Sequence, residues 1–162
     1  MSRRPTVYIE TSVVSYLTAR PSRDLVRAAH QAVTQQWWEG RHRFLLVAAD
    51  PVVQEAAAGD PAAAERRLAA LEGVRLLELS DAALDLASRL IAYGGLPPRA
   101  GVDATHIAIA TVHGVDFLLT WNCRHIANAV TRPRIEQLCR DAGYTPATIC
   151  TPDQLLDEED ET

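Results

Sequence analysis

Lysine is absent from this 162-residue sequence, and all 16 basic residues are arginine. That absence excludes several catalysts. A P-loop triphosphatase needs the lysine of its GK[ST] motif. Two-component receiver domains and haloacid-dehalogenase-type phosphatases, which also carry carboxylates at strand ends, rely on a lysine too. Arginine leaves a phosphate-bearing partner open, because its planar fork matches phosphate oxygens, although a GC-biased genome would also give arginine over lysine. No Gly-rich loop supports a nucleotide-binding sensor domain. Cysteine is scarce: Cys123, Cys139 and Cys150 are an odd number without CxxC spacing. They read as reduced thiols in a cytoplasmic protein rather than as a disulfide or metal set. No HxxxH or HExxH spacing suggests zinc. No apolar run approaches the roughly 18 residues needed to cross a bilayer, and Met1–Pro5 lead straight into TVYIE without an apolar leader, so neither membrane insertion nor export is expected.

What is present is globular in character, with 48% hydrophobic and 23% charged residues, in a length that suits one domain. The formal net charge is −5, and it is concentrated at one end. Setting aside the five acids of the DEEDE run, Asp157 to Glu161, leaves 16 acidic against 16 basic residues. Residues 1–156 therefore read as a neutral domain and 157–162 as a solvated, disordered acidic tail.

Five stretches read as strands: 6–10 (TVYIE), 44–48 (FLLVA), 74–79 (VRLLEL), 115–121 and 147–150 (ATIC). They are rich in Val, Ile, Leu and Phe without clean alternation, as strands buried on both faces are. Helical patterns fill 23–39, 51–57, 61–71, 81–93, 103–113 and 132–142, with Pro51 and Pro61 suited to first turns and Gly114 and Gly143 following helix ends. Such alternation predicts an α/β domain with a parallel sheet and helices on both faces. Trp37 and Trp38 read as core or partner packing.

In an open parallel sheet, ligands bind beyond the carboxyl ends of the strands, where strand order reverses. Polar residues at those ends are the candidates. Glu10, Thr11 and Ser12 follow the first strand, Glu55 lies in the helix after the second, Asp103 opens the helix DATHIAIATVHG, and Thr120 and Asn122 close the fourth strand. Singly, each has a plain explanation: a helix cap for Glu10-Thr11-Ser12 and for Asp103, a solvated charge for Glu55, a turn for Asn122. His106 and His113 read as surface or satisfied core positions. Gathered in one crevice, the carboxylates would repel one another and demand a counter-charge. Oxygen-rich sites of this kind favour Mg²⁺ or Mn²⁺, ions suited to phosphodiester hydrolysis.

The stretches YIETSVVSYL, VVQEAAAGD, DATHIAIATVHGVDFLLTWNCRHIAN and GYTPATICTP resemble the PIN-domain family, especially the VapC-like ribonuclease toxins of type II toxin–antitoxin operons, over residues 6 to about 156. The resemblance implies a single PIN-like domain with a five-stranded parallel sheet. It implies a catalytic set of Glu10, Glu55, Asp103 and Asn122. Glu10, Asp103 and Glu55 would bind Mg²⁺ or Mn²⁺, and Thr120 would hold the site by hydrogen bonds. Asp116 is an outer-shell candidate or, alternatively, a cap for the incoming strand. Arg124 and His125 would face the RNA backbone or simply the solvent. The implied activity is endonucleolytic hydrolysis of RNA, leaving a 3′-hydroxyl and a 5′-phosphate. The implied partners are a homodimer mate and an antitoxin lying along the helices around 12–38. The sequence departs from the family twice: Glu10 stands where most members have Asp, and Asn122 where many have Asp. The alternative reading is a catalytically weakened PIN-like scaffold that binds RNA or a protein.

Overall fold

The computed structural model describes residues 3–157; the acidic tail past Asp157 lies outside them. The sheet has five parallel strands: β1 (Thr6–Ile9), β2 (Leu45–Ala49), β3 (Arg75–Leu77), β4 (Phe117–Leu119) and β5 (Thr148–Cys150), in the order β3-β2-β1-β4-β5. β1 is central. It pairs with β2 in the register Val7 to Leu46 and with β4 in the register Tyr8 to Leu118. Consecutive residues Val7, Tyr8 and Ile9 are all fully buried. Successive strand side chains point to opposite faces, so both faces of the sheet are covered. Burying side chains of this size contributes about 1.5–3 kcal/mol each, which makes β1 the spine of the core.

Among the described residues there are seven α-helices: α1 (Thr11–Thr18), α2 (Leu25–Glu39), α3 (Asp50–Ala56), α4 (Pro61–Ala70), α5 (Asp81–Ala92), α6 (Gly101–Val112) and α7 (Arg132–Asp141). One group gathers about α1, which packs against α2, α3 and α4; in the other, α5 packs on α6 and α7. Local chemistry sets the starts. Asp24, Asp60 and Ser80 each accept a backbone N–H of the first turn of α2, α4 and α5, as N-caps do. The end of α6 is a glycine turn. Gly114 adopts φ +68°, its N–H reaches Thr111 O, and the Val115 N–H reaches Ala110 O. This paired closure needs a left-handed residue, and it delivers the chain directly into β4.

Every expected strand is present, with β3 shortened from 74–79 and β4 from 115–121 to three residues each. The expected helices fall within two residues of their observed bounds, and α1 is an addition. Asp103 does not open α6: the helix begins at Gly101 and Ala100 provides no side-chain cap, so Asp103 sits in the first turn with its carboxylate free for other contacts. Trp37 is fully buried in the core, while Trp38 is partly buried beneath the Arg41 guanidinium, 4.3 Å from the ring centre. No helix among the described residues is long and apolar enough to cross a membrane.

Candidate active site

From β1 the chain runs to β2 and β3 on one side, then crosses to β4 and β5 on the other. The switch point therefore lies between the carboxyl ends of β1 and β4, where an open α/β sheet forms its crevice. Glu10 stands there. Its N–H bonds to Leu119 O at 3.1 Å, continuing the ladder with β4. Its side chain is buried, and Oε2 accepts the Ser12 N–H at 2.7 Å, the Ser12 hydroxyl at 2.5 Å and the Thr120 hydroxyl at 3.2 Å. Glu10 is thus the N-cap of α1 as well as a site acid. Burial pushes its carboxyl above the ordinary value; the Ser12 donors and His106 offset part of this, and the charge of Glu55 adds to it.

Glu55 comes from α3. Its Oε1 accepts from the Thr11 hydroxyl at 2.8 Å and lies 2.6 Å from His106 Nε2. The carboxyl is therefore not a solvated charge, although 39% of the side chain remains exposed. Burial would raise it, but the hydrogen bond and electrostatic pull of His106, together with Thr11, hold it below its ordinary value. His106 is fully buried, and its Nδ1 lies 2.7 Å from the Tyr8 hydroxyl. A carboxylate only accepts, so Nε2–H donates to Glu55, and in the neutral ring Nδ1 accepts from Tyr8. Burial pushes the Tyr8 phenol far up, keeping its proton in place. His106, read from the sequence as a surface or satisfied core position, is a satisfied core position whose partner is a candidate site acid. The signal for its place at the site was the spacing from Asp103, three residues along one helix, which places the two on the same face.

Asp103 is half-buried and held above its ordinary value by burial; the Asn122 amide, His106 and His125 counter this, and Glu55 adds to it. Glu10, Glu55 and Asp103 thus share His106 as an electrostatic neighbour. Asn122 stands beside Asp103. Its Oδ1 accepts the His125 N–H at 3.0 Å, and its amide N–H₂ is the group that can donate to the Asp103 carboxylate. Thr120, fully buried, joins the two halves of the site by donating to Glu10 and accepting the Asn122 N–H at 2.9 Å. The turn is anchored from behind. The Trp121 N–H bonds to the Ser12 hydroxyl, its indole N–H bonds to the Thr34 hydroxyl, and its ring stacks on His30 at 4.0 Å.

Of the two readings of Asp116, the capping one agrees with its contacts. Asp116 lies at the amino end of β4, where it accepts the Thr6 N–H and hydroxyl and pairs with Arg3. Thr6 begins β1 and Glu10 follows its end, about 13 Å further on at strand rise. Asp116 caps the incoming strand and is not part of the site. Arg124 is exposed at the rim beside the half-buried His125.

The donor chemistry fits Mg²⁺ or Mn²⁺. Among the described residues, Glu10 Oε1 and Glu55 Oε2 receive no hydrogen bond, and all the candidate ligands are hard carboxylate oxygens. No three acidic, imidazole or thiol groups among the described residues converge into a finished cage. Mg²⁺ is commonly held by one or two carboxylates with several waters, and such a site needs no such cage. No family model matches the sequence and no curated protein matches it.

Proposed function

We propose that this chain is a Mg²⁺- or Mn²⁺-dependent endoribonuclease of the PIN-like type, acting in the cytoplasm as the toxin of a type II toxin–antitoxin pair. The observation that carries this reading is the gathering of Glu10, Glu55 and Asp103 around His106 at the switch point of a parallel sheet. Burial raises the carboxyls of Glu10 and Asp103 and the charge of Glu55 adds to each, a cost that a bound cation would relieve.

Asp103 and Glu10 would hold the ion, with Glu55 as a further ligand or as the group that places the attacking water. When bound, Mg²⁺ or Mn²⁺ supplies Lewis acidity and lowers the pKa of water. Glu55, kept ionised by its donors, would offer Oε2 as a hydrogen-bond acceptor that orients a water in the cleft. The Asn122 amide orients Asp103, and Thr120 with Ser12 fixes Glu10. Arg124 at the rim suits a phosphate of the flanking RNA. Leu25 and Val26, exposed by 85% and 63% at the start of α2, support an antitoxin or second copy lying on that helix.

A second reading, a weakened PIN-like scaffold that binds RNA or protein, is favoured by the three donors already engaged on Glu10 Oε2. The test is incubation of purified, antitoxin-free protein with structured RNA in Mn²⁺ or in EDTA. Cleavage in Mn²⁺ that EDTA stops, and that Asp103→Asn lowers by at least about 100-fold, more than the loss of an outer-sphere partner gives, supports the nuclease. Cleavage unchanged in Asp103→Asn overturns the site, and RNA binding without cleavage in any metal favours the scaffold.

A further inference from the structure

His106 has no direct part in the reaction just described, yet it is among the most completely enclosed polar groups near the site. We propose that His106, held in turn by Tyr8, is a positioning residue that fixes the Glu55 carboxylate with Oε1 engaged and Oε2 left for the cleft; this rests on the nuclease reading above.

Three observations carry it. Glu55 sits on α3, a helix of seven residues, with its side chain partly in solvent, where a free glutamate would sample many rotamers. Two donors from different parts of the chain, the Thr11 hydroxyl and His106 Nε2, meet on the same oxygen. The ring that provides the second donor is itself fixed. Its other nitrogen lies 2.7 Å from the Tyr8 hydroxyl, and the two rings meet edge to face at 5.7 Å between centres. Tyr8 belongs to the central strand and is fully buried, so the orientation of Glu55 is referred back to the most rigid element of the fold. Outer partners of metal-site carboxylates act in this manner, and their loss typically lowers metal affinity or activity by about 10–100-fold.

The test uses the full chain in three variants: His106→Leu, which keeps volume but removes both nitrogens; His106→Gln, whose amide nitrogen reaches the place of Nε2; and Tyr8→Phe, which removes one hydroxyl. The readouts are kcat and KM on RNA with Mn²⁺, Mn²⁺ affinity by titration calorimetry, and the melting temperature. His106→Leu is expected to lower kcat by about 10–100-fold, with KM for RNA little changed and Mn²⁺ binding weakened alongside. His106→Gln is expected to recover most of that loss, and Tyr8→Phe to show a smaller loss without any change in fold. Should His106→Leu not fold, Tyr8→Phe decides alone. Variants that match the parent in kcat and Mn²⁺ affinity overturn the positioning role and leave the nuclease reading standing. A parent that cleaves no RNA in any metal overturns both.

Discussion

The Thr120 hydroxyl donates to Glu10 Oε2 across 3.2 Å while accepting the Asn122 N–H at 2.9 Å, so one buried hydroxyl joins residues 110 positions apart in sequence to the turn that carries the amide. Replacing it with a methyl of the same shape removes a donor and an acceptor together. Thr120→Val is expected to lower stability by about 1–3 kcal/mol, the usual cost of leaving buried polar groups unpaired, as read by urea denaturation. RNA cleavage should fall with it, because Glu10 then lacks one of the donors that aim it.

The acidic cluster sets a pH dependence in the metal-free protein. Glu10 and Asp103 titrate above their unfolded values, each chiefly through burial. The unfolded chain then releases those protons first, so the stability present below about pH 4 is lost as pH rises through the raised folded values. Glu55 works the other way: held low, it contributes stability above about pH 4 that disappears as pH falls through its folded value. In EDTA at pH 8, Asp103→Asn should therefore melt at a higher temperature than the parent, with the gap closing toward pH 4. Adding Mn²⁺ should reverse the order, since only the parent retains the full ligand set. Thermal melts across pH, with and without Mn²⁺, check both statements.

Trp37 is fully buried, and its indole nitrogen finds no hydrogen-bond partner among the described residues. Trp37→Ala is expected to cost about 3–5 kcal/mol through the cavity it leaves. Trp37→Phe should cost far less, because removing an unpaired buried donor offsets part of the lost packing. Denaturant midpoints of the two variants separate these effects.

The thiols differ in access. Cys123 is exposed, whereas Cys139 and Cys150 are buried, and burial pushes the Cys150 thiol up to about 12. One equivalent of thiol should react with a disulfide reagent in the native protein and three after denaturation, and mass mapping should place the native adduct on Cys123.

The strands were legible in the sequence because a sheet buried on both faces leaves continuous apolar runs, and TVYIE and FLLVA are such runs. The helix α1 was not, because TSVVSYLT is built from β-branched and hydroxyl residues that disfavour helices. Tertiary placement overrides that preference: Glu10 caps the helix while Thr11, Val13 and Val14 are buried. The acids could be nominated from their positions at strand ends. The roles of Glu55 and Asn122 could not, since they depend on which atom faces which partner. His106 looked like one more core position in an apolar helix, and only the fold brings it to Tyr8 and Glu55, 98 and 51 residues away in sequence.

The central place of β1 also governs timing. β1 leaves the ribosome before β4 and cannot complete its pairing until β4 has been synthesised, and distant pairings of this kind are slow to close. A nascent chain halted before Phe117 holds Glu10, Glu55 and Asp103 but lacks the strand and the Thr120 hydroxyl that set Glu10 in place. For a chain proposed to cut RNA, the order of synthesis is then a safeguard: the acids made first stay unassembled until the later strand has joined them.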